Sequence, residues 1–389
     1  MPASVTAAST DTSSIVLNVL VALPAHIALA AAPLHYLYAT PLLPGTLVRV
    51  PLGKRQVLGI VWDASTQIDS TAPDSSALKH VSEAFNDLPA LNAAWRQLVT
   101  FTARYYQRSM GEVALAALPP QLRELDSKQL ARRMKTLAKS NTILPCPDPT
   151  TPAKPTLTAQ QQLAVKATLP SSQSQTPPAP ILLFGSTGSG KTEVYLHAVE
   201  QLLQQDTHAQ ALVMVPEINL TPQLEQRFAS RFPGLYLATL HSGMTAAQRL
   251  QSWLAAHTGK ARIVLGTRMA ILASIPHLRL VIVDEEHDPS YKQQEGARYS
   301  ARDLAIYRGH HSCAQVLLGS ATPSLESWYN SRPPAPDDDG GRYIRLEMPQ
   351  RIGNAPPAAV HLINMAQQPR NTVLSPHLLQ AIAARAARG

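Results

Sequence analysis

Residues 181–192 read ILLFGSTGSGKT, and this run restricts the fold of everything around it. Ile181 to Phe184 are four apolar residues, the length and composition of a short buried strand. They lead into Gly185, four intervening residues, then Gly190, Lys191 and Thr192, the spacing G-x-x-x-x-G-K-[ST]. Glycines allow the tight winding that turns the backbone N–H groups of Gly185, Ser186, Thr187, Gly188, Ser189 and Gly190 toward phosphate oxygens. Lys191 adds a point charge near the outer phosphates, and Thr192 a hydroxyl for Mg²⁺. Residues 193–204 carry apolar side chains at helical spacing, so a helix N-terminus faces the same anion. Strand, loop and helix in this order predict a site for ATP and Mg²⁺; the competing reading is a glycine-rich turn before an ordinary helix.

The rest of the composition agrees with a globular chain of two or three domains. It has 389 residues, 45% of them hydrophobic, and a formal charge of +8 that suits a polyanionic partner. Cys146 and Cys313 are the only cysteines and neither belongs to a C-x-x-C pair, which argues against a thiolate zinc site and a disulfide framework, and fits a reducing cytoplasm. Residues 15–32 are apolar, but no Lys or Arg precedes them, and Asn18, Pro24 and His26 interrupt them. They read as a strand and loop of a domain rather than a signal peptide or membrane span.

In chain order, residues 1–14 are small and polar and read as disordered. Residues 15–124 read as a β-rich α+β module, with strands at 15–23, 45–51 and 57–62, a basic turn containing Lys54 and Arg55, and helices at 91–104 and 111–118. Residues 125–156 read as a linker: a basic helical patch at 128–139, equally readable as a solvated helix face, then a Pro- and Thr-rich run. From residue 157 strand and helix alternate, with apolar strands at 181–184, 211–215, 235–240, 262–265, 280–283 and 316–318. That pattern predicts a parallel sheet covered on both faces, with ligands beyond the carboxyl ends of its strands.

Two of those strands run into motifs. Residues 280–283 end in Asp284-Glu285-Glu286-His287. Asp284 is placed to hold Mg²⁺ through water, and Glu285 to orient or deprotonate the water attacking the γ-phosphate. Residues 316–318 lead to Gly319-Ser320-Ala321-Thr322, which resembles the segment joining the nucleotide site to the nucleic-acid site in superfamily 2 helicases.

Taken together, the motifs resemble the PriA family of bacterial primosomal replication-restart helicases. The similarity lies in GSTGSGKTEVYL (185–196), LVMVPEINLTPQ (212–223), LHSGMT (240–245), IVLGTRMAI (263–271), the DEEHDPSYKQQEG run (284–296) and LLGSATPSLE (317–326), and, nearer the start, in VRVPLGKRQ (48–56), YYQRSMGEV (105–113) and ALPPQLR (117–123). It implies an α/β fold: a RecA-like P-loop helicase lobe with a parallel sheet over 157–335, preceded by a smaller β-rich α+β DNA-binding domain over 15–124 that captures DNA 3′ ends. Gln161 matches the residue that contacts adenine. Thr267 and Arg268, with Pro216 and Glu217, would line a single-stranded DNA track. Tyr291 and Tyr299 would belong to an aromatic-rich loop that couples DNA binding to hydrolysis, bases stacking on aromatic side chains without sequence preference. Lys54, Arg55 and His35 would contact DNA, and His287 with Gly319, Ser320, Ala321 and Thr322 would couple hydrolysis to DNA.

The chain departs from the family at several places. Leu34-His35-Tyr36 stands where the family has Phe-Asp-Tyr, and Ala297 where it has Trp. Loss of that acid predicts weak discrimination of a free 3′-hydroxyl, although neutral imidazole can also accept a hydrogen bond. The interval from Arg123 to Leu157 is too short for a winged helix, and residues 336–389 read as a linker and the incomplete start of a second lobe. The family's zinc-binding cysteines are absent, and the 389 residues alone are expected to bind Mg-ATP but turn it over slowly. The implied partners are branched and single-stranded DNA, primosome proteins and single-strand-binding protein, engaged by a cytoplasmic monomer with no membrane contact. The competing reading is an ATP-responsive DNA-binding and assembly module that does not unwind.

Overall fold

The computed structural model describes residues 15–23, 32–64, 66–67, 78–139, 155–168, 176–352, 360–369 and 373–387. Residues 1–14, Pro24, His26, Cys146 and most of the Pro- and Thr-rich run lie outside them. The described residues up to Gln350 form one compact unit, and those from Arg351 onward form another, which contains the helix Pro376–Ala386.

Among the described residues the first sheet has seven strands: β1 (Ile15–Val21), β2 (Leu34–Tyr38), β3 (Leu47–Leu52), β4 (Arg55–Val61) and the short β5 (Thr66–Gln67), β6 (Lys79–His80) and β7 (Glu83–Ala84). The order is β6-β2-β1-β4-β3-β7, with β5 against β1. Leu52 pairs with Arg55, so Gly53 and Lys54 form a two-residue hairpin turn, and Gly53 supplies the positive φ of 60° that such a turn requires. Helices α1 (Ala93–Tyr105) and α2 (Met110–Ala116) follow. The basic helix is α3 (Ser127–Lys139). It is packed rather than free as a linker would be: Leu130 and Leu137 enter the shared core, while its lysines and arginines stay exposed.

The second sheet is wholly parallel. Its elements are α4 (Ala159–Thr168), β8 (Ile181–Gly185), α5 (Lys191–Gln205), β9 (Gln210–Met214), α6 (Pro222–Arg231), β10 (Tyr236–Leu240), α7 (Ala246–His257), β11 (Ala261–Gly266), β12 (Leu278–Val283), α8 (Ala301–His311), β13 (Gln315–Ser320), α9 (Leu325–Asn330) and β14 (Ile344–Met348). The strand order is β10-β11-β9-β12-β13-β8-β14. Six of these strands were legible as apolar runs. The seventh, β14, lies in the stretch read as the beginning of another lobe, yet it pairs with the P-loop strand from Ile181↔Ile344 to Gly185↔Met348. Its alternation of apolar and charged residues, Ile344-Arg345-Leu346-Glu347-Met348, is that of an edge strand with one covered face.

One hydrophobic core joins the two sheets' layers, running through Trp95, Leu98, Leu130, Trp253 and Leu272. Polar contacts also cross it, two of them from rings in this core. Trp95 Nε1 donates to the Leu272 carbonyl at 2.7 Å. His257, on α7, lies between Pro89 O at 2.8 Å and Ser274 Oγ at 2.9 Å. A carbonyl only accepts, so Nε2 carries the proton and Nδ1 accepts from the serine. Burial holds the imidazole neutral by lowering its pKa to about 4. In the unfolded chain it titrates near 6.5, so the unfolded state takes up the proton first as pH falls. Stability is therefore full above about pH 6.5 and declines toward pH 4, by about 3 kcal/mol from this residue. In urea denaturation followed across that range, His257→Phe is expected to flatten the slope; an unaltered slope would mean that the imidazole titrates normally in the fold.

Candidate nucleotide and nucleic-acid site

The loop after β8 winds as a phosphate cradle must. Gly188 and Gly190 both have φ of 84°, a left-handed conformation that strains any other residue. Lys191 begins α5, is largely buried and donates through Nζ to Gly185 O at 2.9 Å. Ser189 is buried with no partner for its Oγ, and Gly185 packs so close that a Cβ there would lie 2.6 Å from that oxygen. An unpartnered hydroxyl, a lysine parked on a carbonyl and a free helix N-terminus suit a bound phosphate chain. Thr192, partly exposed in the first turn of α5, can add its hydroxyl to Mg²⁺.

Gln161 differs from its expected role. It is 2% exposed, its Oε1 accepts from Thr158 N at 2.8 Å, and its Nε2 donates to Ser189 O at 3.3 Å. The amide thus braces the phosphate loop from α4 rather than presenting a free edge to a base.

Strands β12 and β13 carry the facing wall. Asp284 Oδ1 accepts from Tyr195 Oη, on α5, at 2.8 Å. Burial pushes the Asp284 carboxyl up, while the Tyr195 bond and the Lys191 charge favour its ionised form. Glu285 is partly exposed and has a φ of 45°, a strained backbone for a non-glycine residue and of the kind found at functional sites. His287 Nδ1 lies 2.8 Å from Ser320 Oγ, and its Nε2 lies 3.2 Å from Thr322 Oγ1. Ser320 Oγ also accepts from Thr322 N at 3.0 Å, so the turn through Ala321 is tied to His287. Gly319 must be glycine, because a Cβ there would sit 1.7 Å from the Tyr195 hydroxyl. The nucleotide and coupling motifs read from sequence are therefore brought together on neighbouring strand ends.

Glu286 escaped the sequence reading. It is 1% exposed and accepts from Ser324 N at 2.7 Å, Ser324 Oγ at 3.1 Å and Ser327 Oγ at 3.0 Å, with Arg302 Nη1 at 3.3 Å. It holds Ser324, the N-cap of α9, and fastens that helix to α8. Its position inside an acidic run hid it, since such a run usually faces solvent.

The predicted DNA-contact residues fall into two groups. Arg268 donates to Gln293 Oε1 at 2.7 Å and Ser290 O at 3.1 Å and pairs with Glu217 at 3.9 Å, so it links the 290–293 segment to Glu217. Thr267 beside it is 1% exposed, with Oγ1 unpartnered. Tyr291 and Tyr299, expected to stack on bases, are 3% and 7% exposed. The Tyr291 hydroxyl lies 2.7 Å from Asp284 O and 3.0 Å from Met214 O, and burial pushes the Tyr299 phenol up to about 12. The rings are spent on the core, and only the loop between them is open, with Gln294, Glu295, Gly296 and Arg298 exposed. On the first sheet, His35, Lys54 and Arg55 are all exposed. Lys79, not singled out in the sequence, joins them: β6 pairs with β2, and Lys79 Nζ reaches Gly53 O at 3.5 Å.

Among the described residues no group of three or more His, Cys, Asp or Glu is arranged to hold a metal ion. Mg²⁺ needs none, since it commonly takes one or two protein ligands with phosphates and water. Also among the described residues, no helix is long and apolar enough to cross a membrane.

Comparison with known proteins follows the same division. Residues 18–119 match the family model "3′DNA-binding domain (3′BD)" of PriA, and residues 158–330 the model "DEAD/DEAH box helicase". The replication restart protein PriA of Rickettsia felis is 33% identical, over 90% of this chain and 49% of the relative. That of Haemophilus influenzae is 33% identical over 89% and 54%, and that of Bacillus subtilis 39% over 54% and 25%. The chain spans about half the length of the first two relatives. With both domain models present in turn, and matches to PriA over most of its length, the chain belongs with the PriA replication restart proteins, its first sheet forming the 3′DNA-binding domain and its second the RecA-like helicase lobe.

Proposed function

We propose that the chain is the DNA-sensing and ATP-binding part of an ATP-dependent 3′→5′ DNA helicase that recognises branched forks and begins primosome assembly. The observation that carries this reading is the convergence of three strand ends: Lys191 and Thr192 after β8, Asp284 to His287 after β12, and Ser320 to Thr322 after β13, joined by the Tyr195–Asp284 and His287–Ser320 bonds. When bound, Mg²⁺ would neutralise phosphate charge, with Thr192 and Asp284 as its protein contacts. Lys191 would leave Gly185 O for the phosphates, Glu285 would take the proton of the attacking water, and His287 would pass changes at the γ-phosphate to Ser320 and Thr322.

The exposed His35, Lys54, Arg55 and Lys79 support DNA as the ligand of the first domain, and Arg268 with Glu217 supports a strand path over the second. Single-stranded and branched DNA are the proposed nucleic-acid partners. Primosome proteins and single-strand-binding protein, and a cytoplasmic setting, rest on the name and role of the relatives.

Two substitutions test the assignment. Lys191→Ala should abolish binding of a fluorescent ATP analogue while gel shifts with forked DNA remain as in wild type; unchanged nucleotide affinity would sink the site. Gly319→Ala drives a methyl into the Tyr195 hydroxyl and should displace it from Asp284. Loss of a partner that orients a metal ligand typically costs about 10–100-fold in metal affinity or activity. The same titration run with and without Mg²⁺ should show the loss only when Mg²⁺ is present; equal affinities in both variants would separate Asp284 from the metal.

A further inference from the structure

Tyr106, which caps the C-terminus of α1 in the DNA-binding domain, touches the helicase lobe at one place. Its hydroxyl oxygen accepts from Ser300 N at 3.0 Å, and Lys292 Nζ stands 5.3 Å from its ring centroid. Lys292 and Ser300 are bridged to each other, and Gln293 N donates to Tyr299 O at 2.8 Å. These two residues are thus the neck of the exposed loop between them. Tyr106 holds that neck from the other domain. Partial burial raises its phenol pKa, so the hydroxyl stays neutral at physiological pH.

Both sides of the neck lead to the nucleotide site. On one side, Tyr291 adjoins Lys292 and sets its hydroxyl 2.7 Å from the Asp284 carbonyl. On the other, Arg302 lies two residues past Ser300 and bonds Glu286 Oε2 at 3.3 Å and Ser324 Oγ at 2.8 Å. One phenol of the DNA-binding domain therefore rests on a segment whose ends grip the residues on either side of Glu285. The burial of Glu286 makes the second grip stiff, because its carboxylate has no solvent to turn to.

We propose that Tyr106 is a positioning residue through which DNA held by the first domain alters nucleotide affinity in the second. This rests on the function proposed above. Binding linkage is reciprocal, so it can be read without turnover. In wild type, saturating forked DNA should shift the dissociation constant of a fluorescent ATP analogue by roughly tenfold. Tyr106→Phe removes only the hydroxyl and keeps the ring beside Lys292. It should reduce that shift to about twofold or less, with nucleotide affinity alone, DNA affinity alone and thermal midpoint as in wild type. Tyr106→Leu, which also removes the ring, should abolish the shift. A full shift in both variants overturns the proposal. So does a wild-type protein that binds both ligands with no shift, and that result leaves the functional reading standing. Failure of wild type to bind either ligand ends both.

Discussion

A parallel strand buried on both faces can present chemistry only at its ends. In the second sheet β8, β12 and β13 are buried along nearly their whole length, so their functional groups are the loops that leave their carboxyl ends. Everything at the site follows from holding those loops in register. Tyr195 does so from α5, His287 from the strand end itself, and Glu286 by fastening α9 and α8 beneath them. Few of these groups are free to turn.

The second dependence is on the join between the sheets. Trp95 and His257 each place a ring in a shared core and a nitrogen on a carbonyl of the other layer. Apolar burial supplies the adhesion, and these two hydrogen bonds help to fix the relative orientation, since either group left unpaired in that core would cost about 1–3 kcal/mol. The α1–α8 contact, with Phe101 and Tyr307 rings stacked at 3.7 Å, extends the join outward to Tyr106. The 3′DNA-binding domain and the helicase lobe thus belong to one compact unit, joined by packed side chains.

The sequence by itself determined the P-loop, the DEEH strand, the Gly-Ser-Ala-Thr turn and six of the seven parallel strands. Each is local: glycine spacing, a run of apolar residues long enough for a strand, and a motif at its end can all be read along the chain. Tertiary structure alone decided the rest. β14 fell in the stretch that the resemblance assigned to a second lobe, and its place is set by pairing with Ile181 to Gly185. Tyr291 and Tyr299 were given an exposed role by the family resemblance, whereas packing under the loop consumed both rings. Gln161 and Glu286 became braces because the groups they bond, Ser189 O and the Ser324–Ser327 turn, lie 28 and about 40 residues away. Spacing along a chain reports what a backbone can wind around; which polar side chain is desolvated, and by what, is settled only when distant segments close over it.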